Sequence, residues 1–240
     1  MSKKLHIVHL YPNEMNTYGD RGNIITLTRR AEWHGLQPVV EYHHPGTAFP
    51  RRADLVFGGG GQDSAQSNIQ EDILVIGNEL HKLANAGVPM LTICGTYQLF
   101  GHKFVTHQKQ DIKGISIFDL ETHATKHRLI GNLAVEADDF GVLYGFENHS
   151  GQTHLAAGQP PLGQVTRGNG NNERDKHEGA RVHNVLGTYM HGPVLPLNPH
   201  LADWLIETAY SMAYGAELAS TSVDNHYATM ARAAAKDRHY

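Results

Sequence analysis

Val88-Pro89-Met90-Leu91-Thr92-Ile93-Cys94-Gly95 reads as a short, mostly apolar strand that stops on a cysteine and a glycine. A strand without polar alternation belongs inside a parallel sheet covered on both faces. Before it, Ile69, Ile73, Ile76, Leu80 and Leu83 recur every three or four residues, an amphipathic helix over Ile69–Ala86 that Gly87 closes. Before that helix, Ala53–Phe57 is a second apolar strand, running straight into Gly58-Gly59-Gly60-Gly61. Leu5–Leu10 and Pro38–Tyr42 read as strands on either side of a helix over Asn23–His34, and Tyr97–Phe104 is helix-like after Cys94. This alternation predicts an α/β fold, a mainly parallel sheet with helices on both faces. Ligands of such sheets bind at the carboxyl ends of the strands.

The second half has a different grain. Strand-like pieces at Ile115–Leu120, Leu129–Val135, Val142–Phe146, Leu162–Thr166 and Val182–Tyr189 are separated by turns rich in Gly, Asn and Asp. The longest, Gly168-Asn169-Gly170-Asn171-Asn172-Glu173, is expected to be an exposed loop. Helices over Pro199–Ala213 and Val223–Lys236 finish the chain. With no internal repeat and no linker, residues 1–240 read as one domain, with 214–240 a peripheral helix and tail.

Composition narrows the function. Twenty basic against 24 acidic side chains give a net charge of −4, which lacks the electrostatic footprint of a nucleic-acid binder. Cys94 is the one cysteine, so neither an intramolecular disulfide nor a cysteine-rich zinc site can form, and the chain fits a reducing cytoplasm. The apolar run after Met1-Ser2-Lys3-Lys4 is interrupted by His6 and His9 and stopped by Pro12, too short and polar for a signal peptide. Nowhere does an apolar run approach the roughly 18 residues a membrane span needs. The eighteen histidines show no metal-ligand spacing: His43 and His44 are adjacent on a strand, His102, His107, His123 and His127 are scattered, and most are expected at the surface. No metal site is expected.

Cys94 sits where a buried strand turns into a helix, an elbow that lifts the side chain out of the sheet and where a helix N-terminus favours a thiolate. Its alternative is a small buried hydrophobe. Gly95 places a backbone N–H directly after the thiol, and the Gly58–Gly61 run can offer a second, together an oxyanion hole. A thiolate acyl-transfer enzyme needs a base. His191, at the end of the apolar Leu186–Met190 stretch and followed by Gly192-Pro193, is the best placed.

In order along the chain, Val56-Phe57-Gly58-Gly59-Gly60-Gly61-Gln62-Asp63, Thr92-Ile93-Cys94-Gly95-Thr96-Tyr97-Gln98, Gly145-Phe146-Glu147-Asn148-His149-Ser150-Gly151 and Gly187-Thr188-Tyr189-Met190-His191-Gly192-Pro193 resemble a class I glutamine amidotransferase domain of the cobyric acid synthase-like branch. The resemblance runs from Leu5 into the Pro199–Ala213 helix and implies a flavodoxin-like sheet. It implies hydrolysis of L-glutamine with Cys94 as nucleophile, His191 moving the proton, Gly60 and Gly95 holding the oxyanion, and Arg128 and Gln98 binding the substrate, Arg128 through the α-carboxylate. Within the branch it is nearest to glutaminase subunits that form a heterodimer with a Mur ligase-like synthetase. Such a partner carries ATP and Mg, and lipid II is the acceptor. This chain has no GxxxxGK[ST] of its own and is expected to hold no cofactor.

Two positions depart from the family pattern. Thr96 stands where a second glycine is common, awkward for a β-branched residue if the backbone there has positive φ. Pro193 stands where many class I members carry the glutamate that orients the base. The gap suggests that the partner supplies the acid and that the free subunit is a poor glutaminase. Asp20 and Asp63 are the in-chain alternatives, each readable as a turn or cap residue, and His149 is a rival base. The competing functions are a stand-alone Cys-His hydrolase of peptidase or deglycase type, an amidotransferase for a cobyric acid-type acceptor, and an idle scaffold subunit.

Overall fold

The computed structural model describes residues 2–237. The strands are β1 (Lys4–Leu10), β2 (Gln37–His43), β3 (Leu55–Gly58), β4 (Met90–Ile93), β5 (Lys103–Val105), β6 (Asp111–Lys113), β7 (Leu120–Ala137), β8 (Gly141–Leu155), β9 (Gly163–Arg167), β10 (His177–Glu178), β11 (Ala180–Val182) and β12 (Val185–Thr188). The helices are α1 (Arg21–Trp33), α2 (Asp63–Asn85), α3 (Gly95–Leu99), α4 (Val194–Leu197), α5 (Pro199–Tyr214) and α6 (His226–Asp237). Met1 and residues 238–240, the start of the N-terminal reading and the end of the C-terminal tail, lie outside the described residues.

The first sheet runs β11-β12-β4-β3-β1-β2 and is parallel except at its β11–β12 edge. Strands β3 and β4 are buried along their whole length, as their unbroken apolar runs require. α1 packs on α5 and β2, and α2 on α3 and β6. The apolar stripe Ile69, Ile73, Ile76, Leu80 is the buried face of α2, which begins six residues earlier than the stripe, at Asp63.

The second half forms a layer of its own, a sheet ordered β10-β9-β7-β5-β6 with β8 paired to β7, antiparallel except between β5 and β7. The pieces expected at Leu129–Val135 and Val142–Phe146 are parts of one long β7–β8 hairpin. Three other expectations are corrected. Ile115–Leu120 is not a strand until Leu120; it is an irregular segment whose apolar residues, Phe118 among them, are buried. Val182–Tyr189 folds back on itself as β11 and β12, turning at His183 with φ +52°. The helix read over Tyr97–Phe104 ends at Leu99, and Phe104 lies in β5. The last helix starts at His226, three residues after Val223.

The Gly168–Glu173 segment is not an exposed loop, since Gly170, Asn171 and Asn172 are buried. Composition reads an Asn-Gly run as solvated, but these amides replace missing strand partners. Asn171 Oδ1 accepts from Tyr97 OH (3.0 Å) and Gly179 N–H (2.9 Å), and its Nδ2 donates to the Gly179 carbonyl (2.8 Å). Burial without such partners would be costly. Asn171→Ala therefore removes three buried hydrogen bonds and should lower the unfolding free energy by about 3 kcal/mol, read as a lower denaturant midpoint at unchanged slope.

Candidate active site

Cys94 follows β4 and begins α3, with φ +47° and ψ −101°. A non-glycine residue at positive φ is strained and needs surroundings that hold it. Its N–H donates to the Thr188 carbonyl of β12 (2.8 Å), and its own carbonyl accepts from Gln98 N–H (2.9 Å). The left-handed turn falls on Cys94 and not on Thr96, which is helical and buried. Thr96 Oγ1 donates to the Gly59 carbonyl at 2.7 Å, and a Cβ on Gly58 would lie 2.5 Å from its methyl carbon. A β-branched residue in the glycine position thus serves as a brace between the elbow and the glycine loop.

His191 lies just past β12. Its N–H donates to the Phe146 carbonyl (2.8 Å) and its carbonyl accepts from Phe146 N–H (3.1 Å), a two-bond bridge to β8. A Cβ on Gly60 would lie 2.6 Å from His191 Cε1 and 3.2 Å from Cys94 Cβ, so imidazole and thiol flank one glycine. The edge of the Tyr18 ring meets His191 at 4.9 Å between centroids.

The acid is in this chain. Asp20 is fully buried, and both carboxylate oxygens stand 3.3 Å from His191 Nδ1. The expectation that the partner supplies this acid is corrected in favour of Asp20, one of the two in-chain alternatives; the other, Asp63, opens α2. Asp20 occupies the N-cap position of α1 but makes no cap hydrogen bond; Asn16 Oδ1 takes the Arg21 N–H instead (2.8 Å). The freed carboxylate also accepts Gly60 N–H at 2.6 Å through Oδ2. That bond corrects a second expectation, because an amide engaged by a carboxylate cannot serve as an oxyanion donor. Gly61 is the better candidate: its backbone nitrogen is 2.9 Å from where a Cβ on Gly95 would be, and it lines the same cavity as Cys94. Burial lowers the His191 pKa, but the adjacent Cys94 and Asp20 outweigh it and raise it to about 10.

A cavity of about 430 Å³ opens over Cys94, and Gln98 and Arg128 line it with the nucleophile. Arg128 is oriented by three acceptors, Asn148 Oδ1 (2.5 Å), the Asn148 carbonyl (3.1 Å) and Tyr18 OH (3.1 Å). Its exposed guanidinium lines the cavity, and Nη1 is the nitrogen that makes none of these three bonds and remains to donate to a carboxylate. Gln98 is a wall residue whose amide is engaged at both ends, donating to Tyr189 OH (2.9 Å) and accepting from Gln66 Nε2 (2.7 Å). The free acceptor falls on Gln66, whose Oε1 is buried without a partner. His149 Nδ1 sits 2.7 Å from the Gly151 carbonyl, and its Nε2 faces the buried Glu147 carboxylate at 3.8 Å. Burial holds His149 below the ordinary imidazole range, and its ring stacks on Tyr189 at 3.6 Å. His191 stands beside both Cys94 and Asp20, whereas the carboxylate beside His149 is Glu147.

Sequence reading missed Tyr18, Gln66 and Asn148. Only Gln66 left a signal, since it follows Asp63 by three residues on the first turn of α2 and so shares a helix face with it.

A cysteine at a strand end, an imidazole beside it and a carboxylate behind the imidazole are the parts that acyl transfer through a thioester requires. A raised folded pKa for His191 contributes stability that is fully present below the unfolded value near 6.5 and is lost as pH rises through about 10. Asp20→Asn should therefore move the loss of the His191 proton to lower pH, followed by the ring resonances of His191, and withdraw part of that stability at neutral pH. Asp63→Asn should leave the His191 titration in place.

Residues 6–199 match the model of the CobB/CobQ-like glutamine amidotransferase domain. The chain is 38% identical over 236 residues to the lipid II isoglutaminyl synthase (glutamine-hydrolyzing) subunit GatD of Staphylococcus aureus strain N315, covering 98% of this chain and 96% of that one. It is 42% identical over 219 residues to the GatD subunit of Streptococcus pneumoniae strain R6, covering 90% and 84%. In fold it is similar to PurLQS from Thermotoga maritima, with TM-score 0.56 at 13% identity over 90% of this chain and 99% of that chain. The chain belongs to the CobB/CobQ-like glutamine amidotransferases and is a glutamine-hydrolysing enzyme.

Proposed function

We propose that this chain is the glutaminase subunit of a lipid II isoglutaminyl synthase. The observation that carries the reading is that Cys94 and the three-point-held Arg128 line one cavity, while His191 stands beside Cys94 with Asp20 3.3 Å from its Nδ1. Arg128 takes the α-carboxylate of L-glutamine, leaving the side-chain amide to reach Cys94. The thiolate attacks the amide carbon, and the oxyanion is held by the N–H groups of Gly61 and Gly95. His191, as imidazolium, protonates the departing ammonia; as imidazole it then draws a proton from the water that opens the thioester to glutamate.

Ammonia is handed to a Mur ligase-like synthetase, which carries ATP and Mg²⁺ and amidates the D-glutamate of the lipid II stem peptide. The glycine loop of this chain does not fit a triphosphate: it lacks the lysine of a P-loop, and the Asp20 carboxylate already sits on its Gly60 amide. Among the described residues no helix is long and apolar enough to cross a membrane. We place the reaction in the cytoplasm, where ATP is available.

Ammonia release from L-glutamine, measured for the chain alone and with the synthetase, ATP and lipid II, tests this reading. Cys94→Ala and His191→Ala should abolish release in both settings, and Arg128→Ala should raise KM for glutamine about tenfold or more with a smaller effect on kcat. Release without amidated lipid II in the full mixture would point to a hydrolase or to another acceptor. No release in any mixture, with the partner still bound, would leave a scaffold subunit.

A further inference from the structure

A second depression of about 530 Å³ lies at the carboxyl ends of β1 and β2, lined by His9, Asn13, Asn16, Arg21, Tyr42 and His44 among others. The catalytic cavity borders Thr17 and Tyr18 of the Pro12–Asp20 segment, and this one borders Pro12, Asn13 and Asn16 of the same segment. His9 is 1% exposed, and neither ring nitrogen has a hydrogen-bond partner. Its other neighbours are aromatic, Phe57 at 5.2 Å and Tyr42 at 5.8 Å between centroids. A buried imidazole with nothing to bond marks a place where a polar partner is missing.

The rest of the lining is biased toward donors. Asn16 has its oxygen engaged by the Arg21 N–H, which leaves its NH₂ to donate. Arg21 opens the 13-residue helix α1, where the helix dipole favours negative charge, and the Asp20 carboxylate beside it is committed to the catalytic side. No carboxylate lines the depression. Burial first, and then the neighbouring Arg21 and His44, push His9 down to about 4.

We infer that this depression is a binding site for a small phosphate-class oxyanion, held by Arg21, the Asn13 and Asn16 amides and one ring N–H of His9. The site is independent of the reaction proposed above. An anion there fastens Asn13, Asn16 and Arg21 together on the segment that also carries Tyr18 and Asp20 to the catalytic side.

Inorganic phosphate titrated into the full chain at constant ionic strength, with the His9 ring followed by ¹H–¹⁵N spectra, tests the site. A saturable shift at His9 is expected. It should be weakened about tenfold or more in Arg21→Ala and retained in Arg128→Ala, whose missing cation belongs to the catalytic cavity. Three results would overturn the proposal: a response at His9 that never saturates, one that survives Arg21→Ala unchanged, or one abolished by Arg128→Ala. Acetate at matched ionic strength binding more tightly than phosphate would overturn the assignment of ligand class.

Discussion

The Asp20 carboxylate is the tie on which the site depends. It stands at the start of α1, accepts the Gly60 amide of the glycine loop after β3, and faces the His191 imidazole just past β12. Three separated parts of the chain meet on one buried anion. Such an anion is tolerable only when hydrogen bonds and a positive neighbour compensate it. Here the compensation is itself the catalytic arrangement: the amide fixes the carboxylate, the carboxylate fixes the imidazole, and the imidazolium neutralises the carboxylate. Removing any member leaves the others buried and unpaired, so structure and chemistry are coupled at this point.

The second constraint is the positive φ of Cys94. Strain of that kind persists only where neighbours leave the backbone no other path. The Thr188 carbonyl holds the Cys94 amide from one side, and Thr96 holds the Gly59 carbonyl from the other. Gly58 has no side chain because the Thr96 methyl is already there, and Gly95 has none because the Gly61 backbone is. The glycines of this region are thus less about turning than about approach: they bring the loop after β3 against the elbow, where a Cβ on Gly95 would lie 2.9 Å from the Gly61 nitrogen.

Much of this was legible in the sequence. The parallel sheet was written in the unbroken apolar runs at Leu55–Phe57 and Met90–Ile93, and the meeting of Cys94 with His191 in their places just past the carboxyl ends of β4 and β12. Asp20 was readable as a cap and sits at a cap position. Its role could not be read because local sequence shows which N–H groups a carboxylate could take, not that Asn16 takes the nearest one first. Gly60 was misassigned for the same reason, since four consecutive glycines look alike until a tertiary contact claims one of them. The second sheet was obscured because β7 and β8 are long, partly exposed and cut by polar residues, while β5, β6 and β10 are only two or three residues each. The Gly168–Asn172 segment was misread because side-chain amides can stand in for strand partners only when the partners are present in space.

That second sheet explains why the site holds together across two layers. The thiol and the oxyanion donors belong to the first sheet. Arg128, from β7, and Asn148 and His149, from β8, belong to the second, and the β8 residue Phe146 grips the backbone of His191 through two hydrogen bonds. Gly145 is bare because a Cβ there would lie 2.6 Å from Met190 Cβ, so the hairpin can lie directly against the strand end that bears the base. His191 and Arg128 are therefore both held by one hairpin, while Cys94 is held by the other sheet. A substrate reaching from Arg128 to Cys94 spans the seam between them. The distance it must match is set by the packing of the two sheets, and the backbone bridge between Phe146 and His191 is the direct contact that keeps that distance and the placement of the base from varying separately.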